Sequence, residues 1–474
     1  MLRLLLFLAF ALSPLLGCSL HQPQKVELQT AIPDQYLEQG GTDKIAVAPD
    51  RWWLSFDDPQ LKLLMDELFA QSLELDQAFA RLEQSRSILR TVDSARYPTL
   101  NIEAQGGRAR QPQVIGDATS NNWQVTAAAG FELDLWGKLA SRSDAAQKDL
   151  DVAVEDLKIL YLSLSAQLAD LYYLAVSQRA QIDLTDRTIA SLEDSVALVE
   201  SRYRQGLVPA VDVYQARQNL SAARANRHLS ESSLAVAEHA IAVLIGRYPD
   251  RESAGELKII PSTPAAFPAG LPSELISARP DLSSALRRVE AADARVAAAI
   301  ADRFPRINLI GSYGHSSQEV TVGLIEGNFW NLLGQLTMPL IDGGRRRAEV
   351  DRSQAVLQEA VIAYQQRVLQ AFREVEDALA KNRATELRIE QLTKTERSTE
   401  ATLRLSRDRY LSGLTDFLPV LTAQRSHFDT QSRLLSARQQ LLSERISLAR
   451  ALGGRWMNEN IDQRLNSAKA DHHE

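Results

Sequence analysis

The chain has 474 residues, 45% hydrophobic and 24% charged, with a formal net charge of −7. That length accommodates about two to four ordinary domains. Modest Gly and Pro content excludes collagen-like and disordered chains, and a net negative charge with only short basic clusters such as Arg345-Arg346-Arg347 excludes a nucleic-acid surface.

Arg3 precedes an apolar run from Leu4 to Leu12, too short to cross a bilayer as a helix, so residues 1–17 read as a secretory signal. The signal closes on Leu15-Leu16-Gly17-Cys18, which resembles a bacterial lipobox, and Cys18 is the chain's one cysteine. Lipidation of Cys18 is expected, and two or more acyl chains hold a protein on a membrane where one does not. Ser19 follows, where an aspartate would suggest inner-membrane retention. Residues 18–60 then form a lipidated N-terminal segment on outer-membrane lipid. No later segment holds about eighteen uninterrupted apolar residues, so no transmembrane helix is expected.

A first repeat is expected over 61–246. It opens helically and then changes to a period of two. Leu100, Ile102 and Ala104 alternate with Asn101, Glu103 and Gln105, and Trp123, Val125, Ala127, Ala129, Phe131, Leu133 and Leu135 alternate with a face holding Gln124, Thr126, Glu132 and Asp134. This predicts a β-hairpin over 97–136, fitting either tilted membrane strands or a half-buried soluble sheet. From Lys138 to Gln205 there is neither Gly nor Pro. Leu157, Tyr161, Leu164, Leu168, Leu171, Ala175, Gln178, Ile182, Thr185, Ile189, Leu192, Val196, Val199 and Tyr203 recur there in alternating steps of four and three. That is the seam of a long supercoiled helix, 138–205, about 100 Å long at about 1.5 Å per residue. Gly206 stands as a C-cap, Pro209 follows, and a return helix over 209–246 ends at Gly246.

After a linker, 247–278, the pattern recurs over 279–453. Gly206 lands on Gly413, an offset of 207 that also brings Leu82-Glu83 onto Val289-Glu290, Arg96-Tyr97-Pro98 onto Arg303-Phe304-Pro305, and Ala216 onto Ala423. A second hairpin is expected over 304–341, a second long helix over 345–412 and a second return helix over 416–453, with a tail over 454–474. The second seam is weaker, since it admits polar residues such as Asn382 and Glu396. Arg345, Arg346 and Arg347 open a helix, where positive charge opposes the macrodipole; snorkelling at a membrane interface would account for them, and a solvated surface otherwise. Four strands per chain cannot close a barrel, because membrane barrels begin at about eight strands and lipid forbids open edges. If the strands span a membrane, copies must pool them.

Several sequence blocks resemble the TolC-like outer-membrane factors, in the lipoprotein branch typified by NodT and OprM. They are Trp52-Trp53 with Phe56, Asp58-Pro59 and Leu61; Phe131-Glu132-Leu133-Asp134-Leu135-Trp136-Gly137-Lys138; Arg279-Pro280-Asp281; Pro339-Leu340-Ile341-Asp342-Gly343-Gly344-Arg345-Arg346; and Leu452-Gly453-Gly454-Arg455-Trp456. The resemblance implies a mainly α, internally duplicated chain with a membrane β-barrel portion, closed only in a homotrimer of twelve strands. It implies an equatorial belt from roughly 30–60, 247–275 and 454–474. It also implies docking onto a periplasmic adaptor and an inner-membrane pump of the resistance-nodulation-division class, which supplies the energy. The expected function is a passive efflux duct for drugs or other small toxic compounds; a type I protein-secretion or metal-efflux duct is the alternative.

In that family, adaptors grip the helix tips, here Gly206, Leu207 and Val208 and Gly413, Leu414 and Thr415. A capping glycine explains Gly206 and Gly413 but not the leucine after each. A closed periplasmic gate is held in OprM-like proteins by a leucine, an aspartate and an arginine; the matching positions are Leu418, Thr422 and Arg425, so the carboxylate is missing. Asp212, Asp416 or Asp429 would have to supply acidity near the tip. No P-loop, dinucleotide fingerprint, HExxH or spare cysteine nucleophile is present, so neither an enzyme nor a cofactor beyond the lipid on Cys18 is expected, and no metal site. A structural coiled-coil lipoprotein of the envelope would explain the heptads but not strands placed alike in two repeats.

Overall fold

The computed structural model describes residues 21–23, 32–33, 35–37, 51–112, 117–249, 255–320 and 323–471; the signal peptide, Cys18 and His472-His473 lie outside them. The chain divides into two compact units that cut across the repeats, one of residues 1–29, 80–155 and 283–366, the other of 30–79, 156–282 and 367–474. Nine α-helices are present among the described residues: α1 (Pro59–Gln71), α2 (Leu73–Ser94), α3 (Lys138–Arg204), α4 (Ala210–Leu244), α5 (Pro272–Ala278), α6 (Pro280–Ala301), α7 (Arg345–Leu411), α8 (Leu418–Leu452) and α9 (Met457–Asp471).

The first unit holds one antiparallel sheet in the order β1 (Thr99–Pro112), β2 (Asp117–Leu133), β3 (Arg306–Val320), β4 (Gly323–Thr337). The period-two pattern fixes its faces. Ile102, Ala127, Tyr313 and Trp330 lie side by side in one row, and Leu100, Ala129, Gly311 and Leu332 in the next row on that face. On the other face Asn101, Ala128, Ser312 and Asn331 pair, as do Gln105, Gln124, Ser316 and Gly327. Trp330 is 76% exposed and Ile102 78%, so the apolar face covers no core of its own chain. β1 and β4 are the sheet's edges.

Where strands give way to helices, Trp136 stacks on Phe304 at 5.0 Å, and its indole N–H donates to the Pro305 carbonyl at 2.7 Å. Asp302, at the end of α6, takes Arg306 at 2.7 Å, Arg346 at 3.2 Å and Lys138 at 3.6 Å. Burial would raise the Asp302 carboxyl, but Arg346 and Arg306 hold it below the usual carboxylate range. Each long helix also begins under an aspartate: Asp134 accepts from the Ala140 amide at 2.7 Å, and Asp342 from Gly344 at 3.1 Å and Arg346 at 3.3 Å. Arg346 is therefore no solvated surface residue, since its charge is met by Asp302 and Asp342; Arg345 and Arg347 are exposed.

In the second unit, α3 and α7 supply the heptad seams. Leu157, Tyr161, Leu164, Leu168, Ala175, Thr185, Leu192 and Val199 are buried along α3. One apolar window of α3 is long enough to cross a bilayer, but most of it is buried within the protein, as a core seam should be. The expected weakness of the second seam is compensated by hydrogen bonding. Asn382 on α7 donates to the Glu444 carbonyl on α8 at 3.0 Å and accepts from Arg445 at 2.6 Å.

The Trp52–Phe56 turn packs its rings beside Phe69, Tyr161, Tyr173 and Trp456; Trp53 meets Trp456 edge-on at 4.7 Å. Asp58 caps α1, accepting from Gln60 at 3.0 Å and Leu61 at 3.1 Å, and takes the Tyr172 hydroxyl at 3.0 Å. The helix ahead of each hairpin is broken once, at Ser72 and at Arg279, again 207 apart. Arg279 bonds Asp281 through two nitrogens at 2.9 Å each, Glu374 at 2.6 Å and the Ala451 carbonyl at 2.9 Å, which is what the Arg-Pro-Asp block does.

Candidate functional site: the helix tips

Both tips turn through the same backbone device. Gly206 (φ +73°) donates to the Tyr203 carbonyl at 2.8 Å and Leu207 to Arg202 at 3.0 Å. Gly413 (φ +72°) donates to Tyr410 at 3.0 Å and Leu414 to Arg409 at 2.9 Å. These are Schellman caps, and a glycine suits the left-handed position. The residue after such a glycine commonly packs back on its helix. Here Leu207 is 61% exposed and Leu414 71%, so the cap leaves an apolar side chain in the open at each tip. Val208 packs partly inward, Thr415 is half-buried, and the two glycines are exposed.

The structure brings the two tips of one chain together. Val199, Val213 and Ala216 from the first and Tyr410, Phe417, Val420 and Leu421 from the second form one buried cluster. Arg202 lies over the Tyr410 ring, 4.6 Å from its centre, and donates to the Tyr410 carbonyl at 3.2 Å. A guanidinium at the C-terminal end of α7 also meets the negative end of its dipole. Arg202 was not singled out from the sequence, because its partner lies on the other repeat and no local spacing marks it.

Leu418, Thr422 and Arg425 stand on the first turns of α8 in steps of four and three, hence on one face, and all three are exposed. The Thr422 hydroxyl donates to its own backbone at Leu418, 3.0 Å away, and so is turned away from Arg425. Among the described residues, Arg425 has no acidic partner within its chain. Of the three aspartates expected near the tip, Asp212 is buried, and burial, followed by the charge of Asp416, raises its carboxyl above the ordinary range. Asp429 is exposed, farther along α8. No group of acidic, His or Cys side chains among the described residues is arranged to hold a metal ion.

The chain matches the family model described as outer membrane efflux protein over residues 64–247 and again over 271–454, one match per repeat. It is 31% identical to the solvent efflux pump outer membrane protein SrpC of Pseudomonas putida, across 94% of this chain and 97% of that one. It is 30% identical to the cation efflux system protein CusC of Escherichia coli, across 93% and 96%. A crystal structure of a membrane protein from Pseudomonas aeruginosa, 31% identical, superposes with a TM-score of 0.85 over 93% of this chain and 98% of that one. The chain belongs to the outer membrane efflux protein family. It is the outer-membrane channel of an efflux system, and the reading as a purely structural lipoprotein is set aside.

Proposed function

We propose that this chain is one third of a passive duct, closed by three copies and anchored by a lipid on Cys18, through which small toxic organic compounds leave the cell. It catalyses no reaction and takes its cargo from a periplasmic adaptor and an inner-membrane pump of the resistance-nodulation-division class. The observation that carries the reading is the sheet: both edges are open, while one face exposes a band of large apolar side chains, Leu100, Ile102, Trp123, Trp330, Leu332 and Leu336. Lipid tolerates no open edge, so β4 of one copy pairs with β1 of the next, and three copies supply twelve strands. Leu207 and Leu414 favour the tips as the adaptor's seat. Leu418 and Arg425, exposed on one face, favour a gate made between copies, with Thr422 contributing no charge.

SrpC is named for solvent and CusC for cations. The face that holds the rows Asn101–Ala128–Ser312–Asn331 and Gln105–Gln124–Ser316–Gly327 also carries Glu103, in the row between them, and Glu132 opposite Asn308, so it is a polar wall with acidic groups. The test is single-channel conductance of the purified protein in a planar bilayer, with and without Leu418→Ala and Arg425→Ala. A trimer whose conductance rises in the variants is expected. A monomer in detergent, silent under every condition, would sink the proposal. Acyl-chain labelling lost in Cys18→Ser tests the anchor.

A further inference from the structure

The two helical hairpins are matched element for element, 67 residues in both α3 and α7 and 35 in both α4 and α8. Their tips turn through the same cap, and their seams are in register at the 207-residue offset. Length and hydrophobic pattern alone would let α3 take α8 on the face that holds α4, and let α7 take α4. The same exchange is open between copies, as in domain swapping.

An ion pair crosses each hairpin at the same level, with its polarity reversed; the first is buried on both sides, and in the second Arg445 is buried while Glu386 is half exposed. In the first, Arg179 of the long helix meets Glu238 of the return helix at 2.8 Å. In the second, Glu386 of the long helix meets Arg445 of the return helix. Arg179 and Glu386 are 207 residues apart, and so are Glu238 and Arg445. We propose that this reversed pair is the means by which each long helix selects its own return helix. Exchange would set Arg179 against Arg445 and Glu386 against Glu238, bringing like charges together on both sides.

The surroundings carry the same distinction. Arg445 also donates to Asn382 at 2.6 Å and to the Pro264 carbonyl at 3.1 Å, whereas the counterpart of Asn382 is the fully buried Ala175, with no acceptor to offer. Glu444 accepts from Thr385 at 3.0 Å and Gln440 at 2.9 Å; its counterpart is Ala237. An exposed ladder, Arg217–Glu200, Arg224–Glu193 and Arg227–Asp186, joins α3 only to α4. In an exchanged pairing Arg217 would face Arg407, the counterpart of Glu200, and Arg227 would face the uncharged Thr393, the counterpart of Asp186; only Arg224 would keep an acidic partner, Glu400. A buried ion pair adds little stability over an apolar one, but a mismatched one is penalised heavily, which suits it to choosing partners.

The test reverses the first pair alone, as R179E/E238R. Every hairpin then keeps an attractive pair, but both have the same polarity and the discrimination is gone. Refolding yield of protease-resistant protein is expected to fall at least about threefold, while the thermal midpoint of the fraction that folds stays at the wild-type value. A wild-type yield, or a yield and midpoint that fall together, would overturn the proposal. The variant with all four residues reversed restores opposite polarity and is expected to refold better than E386R/R445E alone. A quadruple variant no better than that double counts equally against it.

Discussion

The two long seams follow one path with different chemistry. Tyr161, Leu164, Leu168 and Ala175 of α3 correspond to Val368, Ala371, Val375 and Asn382 of α7, and all eight are buried. The first hairpin closes on large apolar side chains. The second has smaller side chains at the first three positions and a polar one at the fourth, and is attached through Asn382, Thr385, Glu444 and Arg445, which bond across it. Duplication thus preserved the backbone course while the means of holding it diverged, because a heptad specifies where a seam runs and not which contacts fill it.

The largest expected effect tests this most directly. Leu168→Ala is expected to cost about 2–5 kcal/mol, since a fully buried leucine leaves a cavity as well as lost transfer energy. Its counterpart Val375→Ala should cost about 2 kcal/mol, as fewer buried carbons are removed. Thermal or denaturant unfolding followed by helical circular dichroism measures both. Equal losses at the two sites would erase the contrast between the seams.

A second difference lies at the helix breaks. Ser72, Glu74 and Leu160 stand in the first repeat where Arg279, Asp281 and Arg367 stand in the second. Burial would raise the Asp281 carboxyl, but Arg279 and Arg367, the latter at 2.6 Å, hold it below its ordinary 3.8. A depressed folded-state pKa contributes stability that is fully present above the unfolded value of 3.8 and is lost as pH falls through the lower folded one. Acidification below 3.8 should therefore loosen α5 and α6 before α1 and α2, read as earlier loss of amide protection in hydrogen exchange. Asp281→Asn should abolish that ordering and cost about 2–3 kcal/mol at neutral pH, where the hydrogen bonds are charge-assisted. An α1–α2 region that opens first would refute the assignment.

How much of this was legible in the sequence follows from the range of each signal. Breaker-free runs, tip glycines, strand alternation and the 207-residue offset are local or repetitive, and the structure places α3, α7 and four strands where they predict. The partners of Asp302, Arg202 and Arg445 are not, since they lie on other elements and no periodicity connects them. The charge reversal between Arg179 and Glu386, and between Glu238 and Arg445, was in principle visible in the self-alignment. Its meaning required knowing that each pair meets. For the same reason Asn382 reads from sequence as a flaw in a heptad and from structure as its fastening. Asn382→Leu is expected to cost about 1–3 kcal/mol by removing the buried acceptor of one Arg445 nitrogen, while Glu386 and the Pro264 carbonyl still hold the rest of the guanidinium. A variant of unchanged stability would show that the polar seam holds nothing.

At the tips the two repeats converge again. Gly206 and Gly413 have φ within a degree of each other, +73° and +72°, and a Cβ built on either meets nothing. Alanine at each therefore encounters only its own backbone penalty, about 1 kcal/mol for a left-handed residue. The two substitutions should cost the same, although the seams behind them differ. Because the flanking leucines stay exposed, the loss should remain confined to the last turn, seen as faster amide exchange at Leu207 and Leu414 with the unfolding midpoint barely moved. A larger loss at one tip than the other would mean that the shared geometry hides unequal support, and would extend the divergence of the seams to the tips themselves.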